Sequence, residues 1–213
     1  MRSYLLLLLA LTGCSSMWEA TRADYVKASM QAYGTAASCC ESFSEMPFLP
    51  WDGNDVTLNI DASSKAFQFN QGKSFFSALQ LSPGAEGKLL RVKSLLLPGN
   101  MIPSSSMIYP LLTFLDNKHL IITTTEAAPR FYHSGVFSDL AGGGVSIVNV
   151  PERAAFVVIH TDPAKFRDSF NFSRSGGAGL AGGVYIPDST YNFSVPYIPT
   201  GKVFLRYSSS DNP

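Results

Sequence analysis

From Asp55 onward the chain is written in short runs that are either wholly apolar or alternate apolar with polar, each closed by turn residues. The runs are 56–60 (VTLNI), 66–69 (AFQF), 75–81 (FFSALQL), 88–97 (KLLRVKSLLL), 107–115 (MIYPLLTFL), 119–125 (HLIITTT), 144–150 (GVSIVNV), 154–161 (AAFVVIHT) and 202–207 (KVFLRY). Pro83-Gly84, Pro98-Gly99-Asn100, Asp116-Asn117 and Pro199-Thr200-Gly201 punctuate them as turns. Short strands without intervening long helices predict an all-β fold, an antiparallel β-sandwich of jelly-roll type.

Helical spacing appears elsewhere. Trp18, Tyr25, Val26, Met30 and Tyr33 recur at steps near three, four and seven, which predicts a short N-terminal helix over 17–37 with one apolar stripe. A brief helical piece is expected at 39–46, stopped by Pro47 and Pro50, and another at 162–170, where Asp162-Pro163 reads as a helix start. The glycine-rich stretch 174–183 (RSGGAGLAGG) reads as a mobile loop, and 209–213 as a frayed tail.

The first residues follow another rule. Seven apolar residues, 5–11, come after a single positive charge, Arg2. About 20 helical residues are needed to cross a bilayer, so the run fits the apolar centre of a secretory signal. Leu11-Thr12-Gly13-Cys14 then resembles the bacterial lipobox, which implies diacylglycerol on the Cys14 thiol, removal of 1–13 and acylation of the new amino terminus. Two or three acyl chains, palmitate among them, make a durable anchor where one is marginal. Ser15 after the cysteine points to the outer membrane, facing the periplasm. The expected organisation is a signal peptide (1–13), an anchor and helix (14–37), a β-sandwich (38–208) and a tail (209–213).

Removal of the signal leaves 200 residues, enough for one domain with a proper core. Sixteen basic and sixteen acidic side chains balance, so nothing announces the clustered positive surface that nucleic acid requires. Besides Cys14 the cysteines are the neighbours Cys39 and Cys40. In an oxidising compartment the alternatives are a vicinal bridge, buried free thiols or a bond to a partner.

Candidate chemistry is sparse. Gly177, Gly179 and Gly182 match G-x-G-x-x-G, but without the strand before and helix after that a dinucleotide site needs. His119, His133 and His160 sit at no metal-ligand spacing, and no metal or cofactor is expected. His160 ends an apolar strand beside Asp162, where a carboxylate could orient the imidazole or a structural hydrogen bond could hold it. Glu45, Asp52, Asp55, Asp116 and Glu126 are acids that a fold can bring together, and 52–55 (DGND) has the oxygen-rich look of a calcium loop without the further spaced ligands. No serine lies in a nucleophile elbow, and the chain is expected not to be an enzyme. Aromatics near turns carry more: Trp51, Tyr132 and Tyr185 head a set of rings suited to stacking on sugars or on a protein partner.

FQF at 67–69, GKSFF at 72–76, VKS at 92–94, Pro103, Leu115-Asp116, the segment 153–161 and PTGKV at 199–203 come in an order that resembles the maltose operon periplasmic protein family, MalM-like, over roughly residues 38–207. The resemblance implies an envelope protein linked to maltose and maltodextrin uptake and supplies no catalytic residues. Two roles follow as expectations: a non-catalytic module binding glucan oligosaccharides, or an accessory subunit on a transporter or outer-membrane channel.

Overall fold

The computed structural model describes residues 2–98, 105–132, 143–176, 179–181, 184–186 and 189–208, with side chains described at 19–98, 105–130, 143–171 and 194–208. One helix, α1 (Arg2–Thr35), precedes the strands. These are β1 (Leu49–Pro50), β2 (Val56–Ile60), β3 (Ala66–Phe69), β4 (Gly72–Gln80), β5 (Leu89–Leu95), β6 (Pro110–Leu115), β7 (Ile121–Glu126) and β8 (Arg130–Tyr132). They continue with β9 (Gly143–Asn149), β10 (Phe156–Thr161), β11 (Ser169–Gly176), β12 (Gly179–Ala181), β13 (Val184–Ile186), β14 (Ser189–Pro196) and β15 (Gly201–Ser208). Each of the nine runs read from the sequence overlaps a strand.

Two sheets form a sandwich. The first has the order β1-β4-β10-β6-β7, with β3 also paired to β4, and the second the order β2-β15-β5-β9-β8. β1 runs parallel to β4; the other pairings are antiparallel. Strand alternation sends Phe75, Leu79, Leu112, Phe114, Val157 and Ile159 of the first sheet against Leu58, Ile60, Leu90, Val92, Val203 and Leu205 of the second. Burying each such side chain contributes about 1.5–3 kcal/mol, which makes this layer the main source of stability.

The outer face of the first sheet is covered as well. Phe67, Phe69, Phe76, Ala78, Leu115 and Val158 lie beneath Met46, with Cys40, Phe43, Phe48 and Phe156 packed around them. This second layer explains why β6 is apolar at every position but Thr113, with all six residues buried. A strand with protein on both faces has no solvent side to mark with polar residues.

The end of α1 docks on the sandwich. Ser29 is buried and accepts from the Thr200 hydroxyl at 2.8 Å, while Tyr33 sets its ring edge-on to Phe75 and Phe166. Lys73 donates to the Ala36 carbonyl at 2.8 Å, closing the helix end. Tyr25, Val26, Ser29, Ala32, Tyr33 and Ala36 form the inward face, whereas Met30 is exposed, so the buried stripe is rotated from the expected one. The helix is also longer than predicted, running back through Cys14 to Arg2. Among the described residues no helix is long and apolar enough to cross a membrane.

Three local expectations are corrected. The helix over 162–170 shrinks to one 3-10 turn, Pro163–Arg167, capped by Asp162 Oδ1 on the Ala164 amide at 2.9 Å. It stops because SFNF at 169–172 alternates and pairs with β14. The piece at 39–46 is likewise only a 3-10 turn, Phe43–Glu45. The glycine-rich stretch is not simply a loop: its start completes β11, and Gly179–Ala181 pairs with Val184–Ile186. Backbone pairing, which does not need side chains, overrides a composition that suggests coil. The tail 209–213 lies outside the described residues.

Candidate functional site

A groove of about 450 Å3 opens on the outer face of the first sheet. Its floor comes from Thr113 of β6 and Thr124 of β7, and one wall from Phe67, Gln68 and Phe69 with the turn residues Asn70 and Gln71. The loop 41–44 closes one side, and Lys118, His119, Leu120 and Ile121 form the opposite rim.

Local sequence builds these walls. Cys39 and Cys40 form a vicinal disulfide, the first of the sequence alternatives, and the Cys39 amide donates to the Ala66 carbonyl at 2.8 Å. Glu45 then gathers the loop: its carboxylate accepts from the Glu41 amide at 3.0 Å and the Ser42 hydroxyl at 3.1 Å. Phe43 is thereby held against Phe67 and Phe69, with ring centroids 5.0 and 6.1 Å apart. Across the groove Asp116 Oδ1 accepts from the Lys118 and Leu120 amides at 2.8 and 2.9 Å. The Leu120 amide first, then the other contacts, holds the Asp116 carboxyl below its ordinary range. His119, at φ 61°, stacks on Phe156 with centroids 4.5 Å apart and leans on Phe48.

From the floor inward runs a line of polar groups. Thr124 Oγ1 lies 3.0 Å from Thr113 Oγ1, which lies 2.9 Å from His160 Nε2. The imidazole is fully buried and stacks face to face on Phe69, with centroids 3.7 Å apart and planes 3° apart. Among the described residues Nδ1 has no hydrogen-bond partner of good geometry, the Thr161 backbone being its nearest polar neighbour of note. Burial pushes the His160 pKa down to about 4, so the ring is neutral at ordinary pH. Of the two alternatives for this ring the hydrogen bond is the one seen, to Thr113 on the neighbouring strand, while Asp162 caps the following turn.

Amides, hydroxyls and aromatic edges therefore surround this groove, with Glu41 and Lys118 at its margin. Such groups exchange hydrogen bonds with a neutral, hydroxyl-rich ligand and offer it apolar surface. The buried imidazole lies behind Phe69, and its described side-chain hydrogen bond goes to Thr113.

The other predicted residues fall elsewhere. Trp51 is corrected: it is 5% exposed, stacks on Tyr207 at 4.7 Å and donates its indole N–H to the Asn54 carbonyl at 2.7 Å. Its ring seals one end of the core and presents no face to a ligand. Tyr132 lies on β8 and Tyr185 on β13, and both side chains fall outside the described residues, as does that of Cys14 on α1. Tyr109 and Tyr197 pack edge-on at 5.1 Å near Glu126, whose carboxylate accepts from the Tyr109 hydroxyl at 2.6 Å. Burial raises both phenols, that of Tyr197 to about 12.

The candidate acids do not converge. Asp52 accepts from the Asn54 backbone and side chain, Asp55 pairs with Arg206, Glu45 clasps its own loop, and Glu126 meets Tyr109. Among the described residues no group of three or more His, Cys, Asp or Glu side chains could hold a metal ion. Of the glycine motif, Gly179 opens β12 while Gly177 and Gly182 lie outside the described residues, as does His133.

Sequence reasoning missed Gln68, Asn70, Gln71, Thr113 and Thr124. A signal was present: Thr113 interrupts the otherwise apolar run of β6. Compared with protein-family models, curated proteins and solved structures, the chain matches none.

Proposed function

We propose that the protein is a non-catalytic module of the bacterial envelope, tethered through lipid on Cys14 to the periplasmic side of the outer membrane, that holds a short oligosaccharide in the groove of the first sheet. The observation that carries this reading is the lining of that groove, where Gln68, Asn70, Gln71, Thr113 and Thr124 surround the aromatic edges of Phe43 and Phe67. A glucan offers hydroxyls to the amides and C–H faces to the rings. The MalM-like order of motifs favours the maltose series among glucans. The test is calorimetric titration of the full chain with maltooligosaccharides, with cellooligosaccharides as control. Saturable heat for the maltose series, weakened by Gln71→Ala, is the expected result; silence in both series removes the reading.

A second reading has its own observation. Leu49, Leu120 and Ile121 are 58, 61 and 46% exposed, and the latter two stand on the groove rim. Apolar side chains standing in water suit an accessory subunit on another envelope protein. A photo-crosslinker at position 120 in intact cells is expected to recover one specific partner under this reading.

A further inference from the structure

A neutral imidazole holds one proton on one of two nitrogens, and the nitrogen that carries it sets the direction of every hydrogen bond attached to the ring. His160 is fully buried, and its Nε2 meets Thr113, which meets Thr124; both threonines line the groove. The two sides of the ring differ. Nε2 lies 2.9 Å from a hydroxyl, whereas Nδ1 lies beside the Thr161 backbone. The Thr161 amide donates to Ser74 Oγ at 3.0 Å, which leaves the carbonyl to face the ring. Burial lowers the ring's affinity for a second proton; the Thr161 backbone opposes it, as a carbonyl does and an amide does not.

A proton on Nδ1 therefore sits against an acceptor. On Nε2 it would leave two buried acceptors, Nδ1 and the carbonyl, facing each other without a donor, an arrangement that buried polar groups avoid. With Nδ1 protonated, Nε2 accepts, and the donor is the single hydroxyl proton of Thr113. Thr113 then has only lone pairs for its 3.0 Å contact with Thr124, so Thr124 donates to Thr113 Oγ1. The one proton of Thr124 points inward. What this hydroxyl turns to the groove is acceptor alone.

We propose that His160, acting through Thr113, fixes Thr124 as a one-way hydrogen-bond acceptor on the groove floor, so that the site requires a free hydroxyl on its ligand there and rejects one that has been replaced or capped. This rests on the oligosaccharide reading of the groove and adds which group of the sugar is read, and by what. A threonine free to rotate selects nothing, because its hydroxyl serves equally as donor or acceptor. The buried ring removes that freedom. His160 touches no ligand: it is a positioning residue that lies two hydroxyls from the groove. A site built to accept from a hydroxyl discriminates strongly against an analogue lacking that donor, since its buried lone pairs are then left unpaired.

Nitrogen chemical shifts of the His160 imidazole in the unliganded full chain report its tautomer. Nδ1–H is expected, and Nε2–H overturns the proposal without touching the oligosaccharide reading. Calorimetry then compares maltotriose with a set of monofluorinated maltotrioses, in which fluorine replaces one hydroxyl at a time and cannot donate. At one position the fluorine is expected to weaken binding about tenfold, and Thr124→Val, which removes the acceptor, is expected to reduce that penalty to about twofold or less. Thr113→Val and His160→Leu free the Thr124 proton to turn outward, so the same penalty is expected to shrink in both, whatever each does to the affinity for maltotriose itself. A merely structural role would change both affinities together and leave their ratio in place. Far-ultraviolet circular dichroism verifies folding, and T113V carries the test if H160L does not fold. Tolerance of fluorine at every position, or a penalty that T124V removes and T113V leaves whole, overturns the proposal and keeps the oligosaccharide reading. Silence with maltotriose removes both.

Discussion

On the inner side of β10, Val157 and Ile159 are fully buried among side chains of both sheets; on its outer side, Val158 and His160 are buried just as deeply. The inner layer is closed by long-range pairing of whole strands. The outer one is closed by a short loop, a vicinal disulfide, stacked aromatic rings and a line of hydroxyls ending on an imidazole. Equal burial thus hides unequal construction. One face is made to hold the fold, and the other leaves an accessible groove lined with hydrogen-bonding groups beside its covered part.

Experiments can break or sharpen this contrast. Phe114→Ala on the inner face is expected to lower unfolding free energy by about 3–5 kcal/mol in urea melts, because the cavity sits where neither sheet can collapse into it. A cost under 1 kcal/mol would mean that the inner layer is not the main support.

The outer face should show itself through pH. The folded His160 value of about 4 lies below the ordinary 6.5, so the unfolded chain takes up the proton first. Its stabilising contribution is whole above about pH 6.5 and is lost as pH falls towards 4, an effect on the order of 3 kcal/mol. His160→Leu is expected to flatten that part of the stability profile in melts taken across this window; an unchanged slope would place the titration elsewhere.

A smaller effect is expected from the disulfide. Because it links adjacent residues it closes almost no chain, so Cys39→Ser with Cys40→Ser should cost about 1 kcal/mol or less overall. Hydrogen exchange should nevertheless quicken within 39–46 while β4, β6 and β10 keep their protection. Smallest of all, Thr124→Val removes the outermost hydroxyl of the polar line and should cost roughly 0.5–1 kcal/mol, seen as a slight shift in urea midpoint.

Much of this architecture could be read from local sequence. VTLNI and KVFLRY alternate and lie side by side as β2 and β15, with Leu58 opposite Val203 and both turned inward. Period two is a local property, and it survived. The adjacent cysteines allowed a vicinal bridge among three outcomes, and the choice depended on folding. The site was far less legible, because it is made by register. Thr113 and His160 are 47 positions apart and meet only because β6 and β10 pair, while Phe69 reaches the same ring from β3. Trp51 misled for the opposite reason. Its neighbours Asp52, Gly53 and Asn54 read as an exposed turn, yet that turn folds the indole onto Tyr207. A polar neighbourhood along the chain does not exclude an apolar one in space.

The continuity of α1 across Cys14 bears on reach. Within the described part of the helix, the Arg22 guanidinium donates to the Ser194 carbonyl of β14 at 3.4 Å. Between Cys14 and Arg22 lies about 12 Å of helix. Under the proposed anchoring this segment is a stiff strut, and a strut cannot spool out as a flexible linker does. The domain would stay in the layer next to the bilayer, its neighbours restricted to whatever shares that layer. A ligand or partner deeper in the periplasm would have to come to it.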